Sequence, residues 1–202
     1  MKQHPLEKIY HFLSRIQAKI FTVFLSPCFY KIGSRSVAMP PFRFSNLKLV
    51  QIGNNVTIHK GSWINVLNEV TGSDPKIIIG NCVSIGMDGF ISAANKIILE
   101  DWVLLGRNVY ISDHTHGFNN IEMPIVKQEM IKICVVKIGA ETWLGNNSVI
   151  LPGASIGRHC VIGANSIVNS NIPDYSVAVG SPAKIIRRFD LQKKKWCKVT
   201  DD

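Results

Sequence analysis

An aliphatic residue recurs every six positions through the last third of the chain: Ile138, Leu144, Ile150, Ile156, Ile162 and Val168. Glycine follows four of them, at 139, 145, 157 and 163. Four positions after each aliphatic residue stand Thr142, Ser148, Ala154, Cys160, Ser166 and Ile172, five of them small. The period returns upstream through Ile52, Ile58 and Ile64, then Ile79, Ile85, Ile91 and Ile97, then Leu99, Leu105 and Ile111 after a two-residue slip. An α-helix would scatter a period of six around its circumference. One long strand would be interrupted by Gly or Asn at every repeat. The consistent solution is a short strand, a turn, and another short strand, with each aliphatic side chain pointing to a common axis and Gly or Asn supplying the turn conformation. Three such sides close a coil of about 18 residues, and successive coils stack with parallel pairing. The expected fold is therefore all-β, a parallel β-helix over residues 49–183. Two interruptions, 66–77 and 113–137, are expected to leave the coil as excursions.

The ends read differently. Residues 3–25 carry Leu6, Ile9, Tyr10, Leu13, Ile16, Ile20, Phe21 and Phe24 at helical spacing, with Lys8, Arg15 and Lys19 between them, until Pro27 stops the pattern. The expectation for segment 1–48 is an amphipathic helix that caps the open end of the coil; peripheral docking to a membrane is the alternative. A second, short helix is expected in the basic tail, 184–202. Charge follows the same division: residues 1–48 sum to +7, 184–202 to +4, and 49–183 to −2. A nearly neutral body with basic ends suits an anionic small ligand or a membrane surface better than nucleic acid, which calls for a basic face on the folded core. The five cysteines are widely spaced without a CxxC pair, arguing against a disulfide framework or a zinc ribbon. No signal peptide or bilayer-spanning run is expected, so the reading is cytoplasmic, with a peripheral position at the inner membrane face as the variant.

The stretch from Trp143 to Arg188, WLGNNSVILPGASIGRHCVIGANSIVNSNIPDYSVAVGSPAKIIRR, resembles the hexapeptide-repeat acyltransferases, within them the galactoside, maltose and polysaccharide O-acetyltransferases. The resemblance runs over roughly residues 50–190 and implies a left-handed coil. It also implies acetyl-CoA as acyl donor, a sugar or glycan acceptor, no metal, and a homotrimer with its sites between subunits.

Chemistry concentrates at the second interruption, which opens Ser112-Asp113-His114-Thr115-His116-Gly117. Transfer of an acyl group to a hydroxyl needs a general base, and neutral imidazole is matched to that task near pH 7. In the resembling enzymes one His follows a strand of the kind seen here as Arg107–Ile111. An ungapped count sets that base on His116, which is the reading taken; a gap of two residues would set it on His114 instead. Asp113 and Asp88 are the carboxylates available to contact substrate or to orient the His. The resemblance assigns coenzyme contacts to Asn146, whose backbone N–H is the candidate oxyanion donor, and to Ala164, Asn169 and Ser170. Lys184 and Arg187, in and after the Gly-Ser-Pro-Ala-Lys turn, would meet the coenzyme phosphates. Three other readings remain: N-acetylation of an amino sugar, metal-dependent hydration as in gamma-type carbonic anhydrases, and a non-catalytic prism.

Overall fold

The structure, a computed structural model, describes residues 4–199. A helix, α1 (Pro5–Leu25), leads into a triangular prism of short strands. The prism has three parallel sheets, one per side. The first face begins with Lys31–Ile32, the second with Val37–Ala38 and the third with Arg43–Ser45. The chain then visits the three faces in that order, coil after coil.

The register shows why the hexad pattern folds this way. Ile52 pairs with Ile79, Ile79 with Leu99, Leu99 with Ile138 and Ile138 with Ile156 along the first face. Ile58, Ile85, Leu105, Leu144 and Ile162 stack likewise along the second. Ile64, Ile91, Ile111, Ile150 and Val168 complete the third. All are buried in one continuous core. The two-residue slip between Ile97 and Leu99 is one strand, Ile97–Leu99, that turns both residues inward and Ile98 out. Small residues fill the corners: Thr142, Ser148 and Ser166 are fully buried. Burial pushes the Cys160 thiol above its ordinary value, which suits a packing residue and not a nucleophile.

Two expectations change. Parallel pairing begins at Lys31, not near residue 49, because Ile32, Ala38 and Phe44 already stack on Ile52, Ile58 and Ile64. Their spacing is also six, but Ala and Phe hide the aliphatic signature. The second correction concerns the tail: residues 184–197 form no helix. Ala183–Asp190 pairs antiparallel with Ser176–Gly180, and Lys195–Lys198 pairs with Ala183–Asp190, extending the second face as a hairpin. The open edge of Ser176–Gly180 offers backbone partners that helical propensity does not outweigh. Asp190 turns the chain by accepting the N–H groups of Gln192 and Lys193 at 3.0 and 2.9 Å.

The stacked column predicts a sharp position dependence. Ile91→Ala, in mid-column, should cost about 2–5 kcal/mol in denaturant unfolding. Ile98→Ala, on the next strand and facing outward, should cost under about 1 kcal/mol.

Candidate active site

Asp113 and His114 follow the third-face strand Tyr110–Ser112, where the chain leaves the coil. The Asp113 side chain is fully buried and that of His114 only 9% exposed. Asp113 Oδ1 accepts the Ala94 N–H at 2.7 Å, and Oδ2 accepts the Asn95 N–H at 2.7 Å. Those donors belong to the turn one coil earlier, so the coil stacking itself builds the anion's cradle. Oδ1 also lies 2.8 Å from His114 Nδ1. An ionised carboxylate can only accept, so Nδ1 must carry the proton and Nε2 is left as the basic nitrogen. Ser112 donates its hydroxyl to the His114 carbonyl at 2.8 Å and fixes the backbone beside the ring.

His116 has a different setting. It lies in a two-residue strand, Thr115–His116, paired antiparallel with Met130–Ile131 at the base of the excursion. Its side chain is exposed, and among the described residues no hydrogen bond orients its ring. It does line a cleft of about 630 Å³ with Leu67, Val70, Lys76, Ala94 and Met130, between the two excursions. The expectation that Asp113 contacts substrate is corrected by its burial: both oxygens are engaged and neither reaches the surface.

The remaining candidates divide between two edges of the third face. Asn169 and Ser170, both exposed, follow Ile167–Val168 on the same edge as His114, two coils further on. Asp88, Asn146 and Ala164 occupy turns at the opposite edge, between the second and third faces. Asp88 is ion-paired with Arg107 at 3.0 Å there and is not brought beside His114. With Asn108, Asn146 and Asn147 this pair lines a separate cleft of about 560 Å³. Lys184 and Arg187 are exposed on the hairpin of the second face, and neither makes an ion pair among the described residues. One chain therefore does not gather all the predicted residues into one site.

Side chains cap backbone groups in the turns. Between the first and second faces, the N–H groups of Ser34, Asn54 and Asn81 are each capped by a side chain from the next coil: Asn54, Asn81 and Asp101, at 2.7–2.9 Å. At the edge between the second and third faces, Arg107 N–H is capped in the same manner by Asn146 at 2.8 Å. The next coil then offers Ala164 to Asn146, and Ala has no acceptor. Among the described residues, the N–H groups of Asn146 and Ala164 have no partner. Their positions were named from the resemblance; that Ala164 stands where a cap for the Asn146 N–H would come from is visible only once the coils are stacked. Sequence reading also missed Ala94 and Asn95, which contribute through backbone N–H and not through their side chains. Among the described residues, no three His, Cys, Asp or Glu side chains converge as metal ligands.

The family model described as bacterial transferase hexapeptide (six repeats) matches residues 136–170. The probable acetyltransferase Rv3034c of Mycobacterium tuberculosis is 35% identical over 154 residues, covering 71% of this chain and 51% of that protein. The chain thus spans about half the length of this relative. The putative lipopolysaccharide biosynthesis O-acetyl transferase WbbJ of Escherichia coli is 29% identical over 180 residues, covering 86% and 88%. A variant of AntD, an N-acyltransferase from Bacillus cereus, in complex with dTDP-4-amino-4,6-dideoxyglucose and coenzyme A, superposes with a TM-score of 0.72 at 19% identity, covering 86% and 91%. Over these stretches the chain is similar to hexapeptide-repeat transferases.

The His114–Asp113 geometry makes a prediction independent of activity. Nitrogen-15 NMR should find the Nδ1–H tautomer of His114 dominant. In Asp113→Asn that tautomer should lose its dominance, while His116 should show ordinary tautomer exchange in both proteins.

Proposed function

We propose that this protein is an acetyl-CoA-dependent O-acetyltransferase acting on a hydroxyl of a sugar, nucleotide sugar or cell-surface polysaccharide precursor, on a left-handed coil. The observation that carries the reading is the buried Asp113 holding His114 with Nε2 free. A sugar hydroxyl is a weak nucleophile at neutral pH, and a preset imidazole base is what its attack requires. His114 Nε2 takes the hydroxyl proton as the oxygen bonds to the thioester carbonyl carbon. Asp113 stabilises the resulting imidazolium. The oxyanion of the tetrahedral intermediate is received by a free backbone N–H, that of Asn146. Collapse breaks the carbon–sulfur bond, the thiolate recovers the proton from His114, and the products are an acetyl ester and free coenzyme. His116, in the excursion cleft, is assigned to acceptor binding.

Because His114 and Asn146 lie on opposite edges of one face, the reaction needs His114 from one chain and the Asn146–Ala164 turns from another. A cyclic homotrimer, the arrangement the family resemblance implies, supplies three such junctions. Lys184 and Arg187 would neutralise the coenzyme phosphates. N-acetylation of an amino sugar is the second reading, supported by the amino sugar named in the AntD complex. An amine that reaches the site unprotonated attacks without a base, so the built His–Asp pair favours the hydroxyl.

With a sugar acceptor and acetyl-CoA, His114→Ala should lower kcat by about 10²–10⁴ with coenzyme affinity unchanged. His116→Ala should mainly raise the acceptor KM. The reverse pattern would return the base to His116. Ala164→Asn, which restores a cap to the Asn146 N–H, should weaken transfer by about 10²-fold or more.

A further inference from the structure

An amphipathic helix beside a core ordinarily turns its apolar stripe inward. Helix α1 does the opposite. Its buried residues are Ala18, Thr22 and Leu25. The Thr22 hydroxyl donates to the Ala18 carbonyl at 2.6 Å and accepts the Ala38 N–H at 2.8 Å, so a small, polar strip fastens the helix to the second face. The stripe formed by Ile9, Phe12, Leu13, Ile16, Ile20 and Val23 points away from the prism, each residue 39–71% exposed. The spacing of these residues puts them on one side of a helix about 30 Å long.

Lys8, Arg15 and Lys19 fall along one border of this stripe, at intervals of seven and four residues. Lys8 and Arg15 line a shallow groove of about 380 Å³ with His11 and Phe12. The single acidic residue of the helix, Glu7, stands in its first turn. No helix among the described residues is long and apolar enough to cross a membrane.

We propose that α1 is an interfacial anchor that lies in the surface of an anionic lipid bilayer, its Ile/Leu/Phe stripe among the acyl chains and its Lys8–Arg15–Lys19 border at the headgroups. Charge selects this occupant over a second copy of the chain. Two copies meeting stripe to stripe would bring two cationic borders to one junction, whereas an anionic surface complements the border. The +7 balance of residues 1–48 adds to the same attraction. The consequence for an acetyltransferase is an acceptor met at the membrane, but the docking itself stands on the helix alone.

The test is flotation of the full chain with vesicles of phosphatidylcholine containing roughly a third phosphatidylglycerol, beside pure phosphatidylcholine vesicles. The wild type should float with the anionic vesicles, less so at high salt, and far less with the neutral ones. Leu13→Glu/Ile20→Glu alters only exposed positions, so circular dichroism and size in solution should match wild type, while vesicle binding falls on the order of tenfold or more. Lys8→Gln/Arg15→Gln/Lys19→Gln should remove the salt-sensitive part. Failure of the wild type to float would overturn the proposal, as would unchanged binding by the double Glu variant. A smaller assembly for that variant in the absence of lipid would also overturn it, by showing the stripe covered by a second copy.

Discussion

Everything in this molecule depends on the stacking of one inward aliphatic side chain on another at each six-residue step. A single coil has no interior of its own. Its Ile or Leu is buried only because the coils above and below supply the walls, so stability is shared between neighbours and not held within any one turn. Each buried aliphatic residue contributes about 1.5–3 kcal/mol relative to exposure, and the columns at three faces run nearly the whole length of the prism. The same stacking fixes the turns, since every corner residue sits directly over its counterpart. Function is then written as local departures from a regular lattice.

Two departures matter. At the edge between the third and first faces, Asp113 takes the place where the chain would turn into its next side, and the turn below donates two N–H groups to it. A buried carboxylate is costly unless fully hydrogen-bonded, and here the lattice supplies the bonds. His114 is thereby held by a group that cannot itself reach substrate. At the edge between the second and third faces, Asn146 caps the Arg107 N–H, Ala164 offers no acceptor in turn, and the N–H groups of Asn146 and Ala164 have no partner among the described residues. In the proposed reaction one departure provides a base, the other provides donors for developing negative charge, and neither edge suffices alone.

Much of the fold was legible because the hexad period matches no other regular structure. The first coil was not, since Ala38 and Phe44 occupy inward positions where the pattern expects Ile, Leu or Val. The tail was misread because Ala183–Asp190 has no core period; its conformation is set by the open strand edge beside it. In the site, the His pair was visible as the only two close histidines at an interruption. Spacing favoured His116, whereas the hydrogen bonding that favours His114 comes through Asp113 from Ala94 and Asn95, one coil upstream, whose contribution is backbone N–H. Asp88 looked like a substrate ligand, yet the coil stacks Arg107 against it. The coenzyme residues rest on the family resemblance alone.

In the proposed reaction, catalysis is divided between two edges that meet only when two chains join. The most direct measurement is subunit complementation. His114→Ala and Ala164→Asn, each weakly active alone, are unfolded, mixed in equal amounts and refolded together. The account predicts recovery to about a quarter of wild-type activity, since random assembly pairs an intact His114 with an intact Asn146–Ala164 edge at one junction in four. Activity no greater than the mean of the two parents, in mixed oligomers shown to have formed, would contradict it and place the whole site within one chain.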